Sequence, residues 1–111
     1  MKRDVTLFLE DIIENIELIE KSAKSKNKLL KDKDIRDATV RRLEVIGEAA
    51  KNIPEDFREK YPEVKWKGMT GTRDLIIHAY FNVQLDVVWD IIKKDLPILK
   101  KQVQGILKKE K

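Results

Sequence analysis

Apolar residues recur at intervals of three and four along most of the chain, which is the spacing of amphipathic helices. Three stripes of this kind stand out, one near the start, one in the middle and one in the last third. Each predicts a long helix with one buried face. The stripes comprise Val5, Phe8, Leu9, Ile12, Ile16 and Ile19; Ile35, Ala38, Leu43, Val45, Ile46, Ala49, Ala50 and Ile53; and Leu85, Val88, Trp89, Ile92, Leu96, Leu99, Val103 and Ile106.

Prolines and polar runs set the predicted boundaries. The Lys-rich residues 21–28 are interpreted as a connection. The second helix ends before Pro54, because proline disfavours the α conformation in the residue that precedes it. Residues 54–62 predict a short extra helical turn with Pro54 at its first position. In the last segment Pro97 predicts a kink or a break near Asp95, whose side chain could cap the helix that follows.

A further helix is predicted from about Val64 to about Tyr80, although Gly68 and Gly71 weaken it. Glycines inside a helix often allow two backbones to pack closely. Here the close packing could occur within the bundle or at the interface of a dimer. Long amphipathic helices with short connections predict an all-α fold, an antiparallel bundle of the four-helix type. Residues 1–111 are expected to form a single domain.

Composition restricts the possible chemistry. The chain has no cysteine, which excludes disulfides and thiolate metal sites. No uninterrupted apolar run resembles a signal peptide or a membrane span, and we expect a cytoplasmic protein without a membrane partner. The 24 basic and 20 acidic residues give a net charge of +4, too small to identify a nucleic-acid binder. The lysines from residue 100 onward are at least as consistent with a solvated helix face.

The segment RDLIIHAY collects unusual side chains within eight residues: Arg73, Asp74, His78 and Tyr80. On a helix Asp74 and His78 are neighbours, so the carboxylate could orient the imidazole. On the same helix Arg73 and Tyr80 lie on nearly the same face. The side chains of Arg73 and His78, by contrast, leave the helix in directions about 140° apart around its axis. One site that uses both needs the helix to end near His78, or a second copy of the motif from another subunit.

These residue types suggest phosphodiester chemistry without a metal or another cofactor. A guanidinium binds phosphate oxygens and stabilises charge that develops in the transition state. An imidazole titrates near neutrality and can accept or donate a proton. RNA supplies its own nucleophile, the ribose 2′-hydroxyl. A metal site is not expected, since one histidine among scattered carboxylates is not a ligand set.

The chain resembles the HEPN superfamily, and within it the HepT-like toxins of prokaryotic toxin–antitoxin pairs. The resemblance covers LFLEDIIENIELIE, VRRLEVIGEAAKNIP, YPEVKWKGMTGTRDLIIHAYFNV and VVWDIIKKDLPIL, in that order. The family is characterised by Arg, four to six residues and His, commonly with a polar residue after the Arg and Tyr two residues after the His. Arg73, Asp74, His78 and Tyr80 fill these positions.

The resemblance implies a helical bundle that forms a homodimer, with the paired Arg73 and His78 meeting in a cleft at the interface. It also implies a metal-independent endoribonuclease that acts on RNA, and an antitoxin partner that is a minimal nucleotidyltransferase. In some systems that partner transfers AMP to the motif tyrosine, which here is Tyr80. Two motifs around a two-fold axis would supply two histidines, one as base and one as acid.

One position departs from the family, since the residue between His78 and Tyr80 is often acidic and here is Ala79. The alternative function is therefore a catalytically silent HEPN module that binds nucleotide or nucleic acid and docks a nucleotidyltransferase. A third interpretation is a structural dimer without chemistry.

Three other residues admit two interpretations. Glu48 could approach the motif or pair with Arg73, but an ordinary semi-exposed helix glutamate is slightly favoured. Trp66 and Trp89 could stack on bases. Both fall on apolar faces, so packing in the core is the stronger expectation.

Overall fold

The computed structural model describes residues 3–71 and 85–110, and every secondary-structure element in these two ranges is helical. The predicted all-α class is confirmed. None of the helices in these ranges is long and apolar enough to cross a membrane. In chain order the elements are α1 (Arg3–Ser22), α2 (Lys26–Lys31), α3 (Lys33–Asn52), α4 (Glu55–Lys60), α5 (residues 66–71), α6 (Leu85–Asp90), a π-helical turn (Ile91–Asp95) and α7 (Leu96–Glu110).

Helix α1 is the central helix of the bundle and packs against both α3 and α7. Its predicted stripe is confirmed, because four of its side chains, Leu9, Ile12, Ile16 and Ile19, are completely buried. The predicted stripe of the C-terminal segment is confirmed too. Every member from Leu85 to Ile106 is buried, except the partly buried Trp89, which packs against the core.

Contacts between helices indicate that α3 and α7 both run antiparallel to α1. The Arg42 guanidinium, in the middle of α3, donates to the Ser22 hydroxyl at 2.9 Å and to the Leu18 carbonyl at 3.3 Å, near the end of α1. Phe8, near the start of α1, lines a groove with Asn52 at the end of α3. Near the start of α7, Lys100 Nζ lies 3.0 Å from Glu20 Oε1, in the last turn of α1. Arg42 thereby ties the middle of α3 to the C-terminal end of α1.

The interpretation of residues 21–28 as a connection holds only for residues 23–25, because α1 extends to Ser22 and α2 begins at Lys26. The Ser25 hydroxyl caps this helix by accepting a hydrogen bond from the Lys28 amide at 3.1 Å. Asp32 then caps α3, with its carboxylate accepting from the amides of Asp34 and Ile35. A helix of six residues with one buried side chain, Leu29, produces too little periodicity to recognise.

The short extra helix predicted between the two prolines is confirmed as α4, with one shift in its boundary. Pro54 precedes the first helical residue, with φ −57° and ψ 146°, so it lies at the N-cap and not at the first helical position. Its extended ψ matches the role of an N-cap residue, which lies outside the helix.

The C-terminal segment passes through Pro97 without a break. The residues ahead of the proline form a π-helical turn, Ile91–Asp95, in which the Leu96 amide donates to the carbonyl of Ile91. An α-helical turn would bring the proline ring against the Lys93 carbonyl, and the wider π turn relaxes this contact. Asp95 lies inside this turn, so the expectation that it caps a new helix is wrong.

The close backbone contact in the bundle occurs at a glycine other than those expected. A Cβ added to Gly47 on α3 would lie 2.9 Å from the carbonyl oxygen of Met69. At Gly68 the nearest atom would be the Lys65 Cβ at 3.6 Å, and at Gly71 no atom of a described residue lies within 4 Å. The expectation that Gly68 and Gly71 allow close packing within the bundle is therefore wrong for the described part of the chain. Gly47 has this role.

We expect Gly47→Ala to lower the free energy of unfolding by about 1–2 kcal/mol, because the forced displacement outweighs the gain in helix propensity. Gly105→Ala is the matched control, since Gly105 also lies within a helix but has nothing within 4 Å of its added Cβ. It should raise stability by roughly 0.5–1 kcal/mol. Urea unfolding of the three proteins measures both effects. Equal shifts for the two variants would contradict the close contact.

Candidate active site

The predicted catalytic residues Arg73 and His78, the supporting Asp74 and the regulatory Tyr80 belong to residues 72–84, which lie outside the described residues. Their roles stay predictions. The structure does describe the two segments that flank this motif in the chain. Helix α5 precedes the motif and is described up to Gly71, and α6 begins after it at Leu85.

The segment that leads into the motif is held in the core by aromatic side chains. Tyr61 and Trp66 are buried, and the Trp66 indole N–H donates to the Tyr61 carbonyl at 2.9 Å. The Phe57 and Tyr61 rings lie 5.4 Å apart between centroids, in a tilted arrangement. The prediction that Trp66 packs in the core is confirmed, and Phe57 is buried as well. Met69, one turn before the motif, is also buried.

The segment that leads into the motif, residues 57–71, is called the entry segment. Electrostatic contacts join it to the C-terminal end of α7. The Tyr61 hydroxyl donates a hydrogen bond to the Glu110 carboxylate, and Lys60 Nζ lies 3.0 Å from Glu110 Oε2. This hydrogen bond, together with burial and the nearby negative charge, raises the pKa of Tyr61 to about 12. The same hydrogen bond and the Lys60 contacts lower the pKa of Glu110. Residues 49 positions apart are thus linked, and α4 and the residue after it are held to the end of α7.

The segment that follows the motif is also packed. Leu85 and Val88 of α6 are buried, and Trp89 packs against the core, which confirms its predicted role. On the exposed side of α6, the Asp86 carboxylate forms a salt bridge with Lys26 of α2. Both neighbours of the motif are therefore attached to the bundle at defined points.

Glu48 lies in a groove between α1 and α3, among polar residues that include Asp11, Glu44 and Asn52. Its side chain is exposed, which agrees with an ordinary helix glutamate. The proposed approach to Arg73 concerns a residue outside the described ranges. Among residues 3–71 and 85–110, no group of three His, Cys, Asp or Glu side chains is arranged to hold a metal ion.

An apolar cavity of about 210 Å³ adjoins the entry segment at Gly68 and Met69. Its lining is formed mainly by Leu43, Ile46, Met69, Leu96 and Leu99, with a few charged residues. Such a lining provides little that would bind a phosphodiester, so the cavity does not compete with the motif as the candidate site.

Comparison with known proteins identifies the class of this helical bundle. The model of the family described as "Ribonuclease HepT-like" matches residues 11–106, which includes α3, both flanking segments and the motif. This chain belongs to the HepT-like ribonuclease family. The resemblance noted from the motif and the order of segments is confirmed.

Individual relatives agree with this assignment. A protein of Thermococcus cleftensis named "Probable ribonuclease HepT" is 46% identical over 110 residues, which cover 97% of this chain and all of that protein. A "Putative RNase" of Methanocaldococcus jannaschii is 46% identical over 96% of this chain and 90% of its own length.

A second protein of Methanocaldococcus jannaschii is named "Gamma-glutamylcyclotransferase and putative RNase" and is 44% identical over 96% of this chain. The chain spans about half the length of that relative, 49%. No solved structure matches the chain significantly.

The raised pKa of Tyr61 predicts a pH dependence of stability. The folded state favours the protonated phenol of Tyr61. The stabilisation that results is complete below pH 10 and is lost as pH rises from about 10 to about 12. Tyr61→Phe lacks the ionising group. The difference in unfolding free energy between the parent and Tyr61→Phe should therefore shrink over this range. Urea unfolding at pH 8 and between pH 10 and 12 measures it.

The control is Glu110→Gln, which keeps an acceptor but removes the charge. The loss should still begin near pH 10, because the unfolded-state pKa of the tyrosine is unchanged, but it should be smaller and end at a lower pH. Parallel stability curves for the parent and Tyr61→Phe would contradict the link between Tyr61 and Glu110.

Proposed function

We propose that this protein is a metal-independent endoribonuclease and the toxin of a toxin–antitoxin pair. The observation that carries the proposal is membership of the HepT-like ribonuclease family, with relatives of nearly the same length that are named ribonucleases. The chain also retains Arg73, His78 and Tyr80 at the family's motif positions.

The proposed reaction uses the nucleophile of RNA itself. A histidine removes the proton of a ribose 2′-hydroxyl, and the 2′-oxygen attacks the adjacent phosphorus. The bond to the 5′-oxygen breaks, and a second histidine donates the proton that this leaving oxygen needs. The products are a 2′,3′-cyclic phosphate and a 5′-hydroxyl. Arg73 stabilises the additional negative charge on the phosphate oxygens in the transition state.

The proposed site is composite and lies at the interface of a homodimer. On one ideal helix Arg73 and His78 diverge by about 140°, and two copies of the motif around a two-fold axis remove this difficulty. The exposure of Gly68 and Gly71, on the helix that leads into the motif, supports the proposal. Small exposed residues there allow a second subunit to approach closely.

The proposed antitoxin is a minimal nucleotidyltransferase that modifies Tyr80. The tyrosine oxygen attacks the α-phosphorus of ATP and its phenolic proton is released to solvent, while the bond to the β-phosphate oxygen breaks and pyrophosphate leaves. The product carries AMP beside His78, where its bulk and negative charge would block the binding of RNA.

The catalytic assignment predicts that RNA is cut in the presence of a chelator, and that Arg73→Ala and His78→Ala each slow cutting at least about 100-fold. Lys101→Ala is the control, because it removes an exposed cation from α7. Cleavage of a labelled RNA measures the rates. Circular dichroism and size-exclusion chromatography verify that the variants fold and keep their oligomeric state.

Two outcomes would overturn the assignment. If both variants cut as fast as the parent, Arg73 and His78 are not catalytic. If the parent binds a nucleotidyltransferase but leaves RNA intact at every concentration, the protein is a silent binding module.

The regulatory assignment is tested separately. Incubation with the cognate nucleotidyltransferase and ATP should add the mass of AMP to the parent protein, with the modified peptide containing Tyr80. Tyr80→Phe should stay unmodified, while Tyr61→Phe, which removes the other tyrosine, should be modified like the parent. Intact-protein and peptide mass spectrometry distinguish these results, and modification of Tyr80→Phe at full yield would show that the acceptor lies elsewhere.

A further inference from the structure

Positive charge is concentrated in one short segment of this chain. Residues 21–33 contain six of the 24 basic residues and one of the 20 acidic residues. The rest of the chain therefore has 18 basic and 19 acidic residues and is close to neutral. The net charge of +4 therefore arises from residues 21–33, which run from the end of α1 through α2 to the start of α3.

Most of this charge is not neutralised locally. The single acidic residue of the segment, Asp32, caps α3 through its carboxylate. Two of the six lysines have carboxylate partners, Lys26 with Asp86 and Lys33 with Asp37. The other four are exposed and form no ion pair with another described residue. We call these four, Lys21, Lys24, Lys28 and Lys31, the α2 lysine surface.

The backbone that carries the α2 lysine surface is held in place at both ends of α2. Leu29 is completely buried and anchors the helix to the core. The Ser25 hydroxyl caps the first turn. At the other end the Arg36 guanidinium donates to the Leu30 carbonyl at 2.9 Å. The lysines therefore project from an ordered element, and a polyanion can bind them without first ordering the chain.

The lysines of α7 differ from the α2 lysine surface, because some of them already have partners within the molecule. Lys100 is half-buried between Glu17 and Glu20 of α1, which raise its pKa. Lys109 Nζ lies 5.7 Å from the centre of the Tyr61 ring. Lys101 and Lys108 are exposed. Two of the four described lysines of α7 thus already have intramolecular partners.

We propose that the α2 lysine surface binds the phosphate backbone of RNA and extends the cleavage site. The inference rests on the proposed function, which makes RNA the substrate. Lys26 pairs with Asp86, and Asp86 follows His78 by eight residues in the sequence. Eight residues reach at most about 28 Å, so one RNA strand can contact the surface and the motif together.

A membrane surface fits these observations less well. Peripheral membrane helices combine basic residues with a broad apolar face. On α2 the exposed apolar side chain is Leu30, 40% exposed, while Leu29 faces the core. The surface therefore offers charge with almost no apolar area, which suits a solvated phosphate backbone.

The test compares two double variants that each remove two exposed lysines. Lys28→Gln with Lys31→Gln alters the α2 lysine surface, and Lys101→Gln with Lys108→Gln is the matched control on α7. The probe is a fluorescently labelled 2′-O-methyl RNA, which lacks the nucleophile and stays intact. Fluorescence anisotropy over a range of salt concentrations gives the dissociation constant and its salt dependence.

We expect the α2 variant to bind roughly tenfold more weakly at low salt, with a salt slope smaller by about 1.4, while the control stays close to the parent. Lys28→Arg with Lys31→Arg keeps the charge and should bind like the parent. It also separates loss of charge from any damage to α2. Thermal unfolding verifies that all variants fold.

Three results would overturn the proposal. Equal weakening in both double variants would show that only net charge matters, and no weakening in either would show that RNA does not contact α2. Binding of the parent to anionic phospholipid vesicles but not to the RNA would identify the surface as a membrane contact. The RNA probe cannot be cut, so these results are independent of the cleavage assay. Lost cleavage in Arg73→Ala with normal probe binding would leave this inference intact.

Discussion

The burial of one face of α1 is the constraint on which the rest of the structure depends. Leu9, Ile12, Ile16 and Ile19 are completely buried in the bundle, in which α1 packs against both α3 and α7. Burying large aliphatic side chains contributes about 1.5–3 kcal/mol each, more than any exposed ion pair in this chain can supply. The position of every other element follows from how it is attached to these three helices.

The motif segment is attached to this framework from two directions. Its entry segment is fixed by Tyr61 and Trp66 and reaches the end of α7 through Glu110. Its exit helix, α6, packs on the core and contacts α2 through Asp86.

Periodicity predicted the long helices well, because burial of one face leaves a repeated signal over many turns. It could not predict α2, where a single leucine is buried. It also missed Thr39 as a core residue, since its hydroxyl is satisfied by the Ile35 carbonyl of its own helix. Gly47 was overlooked because close approach to Met69 is a tertiary property that local sequence does not encode.

The candidate site, like the fold, could be predicted from the sequence only in part. The motif residues were recognisable because their types and order are specific to a family, which the comparisons confirm. Helix geometry alone could not bring Arg73 and His78 together, since the proposed arrangement depends on a second subunit. The link from Tyr61 to Glu110 joins residues 49 positions apart, and no local pattern indicates such a pair. The α2 lysines were visible as composition, but their ordered presentation required the caps and the buried Leu29.

The π-helical turn at Ile91–Asp95 determines the rotational phase between the two parts of the C-terminal helix. A π turn contains one residue more than an α-helical turn, and one residue corresponds to about 100° of rotation and 1.5 Å of rise. Without it, α6 would be turned by that angle relative to α7. Trp89, Leu85 and Val88 would then turn away from the positions at which they pack. One additional residue thus determines which face of α6 meets the core while α7 keeps its own buried stripe.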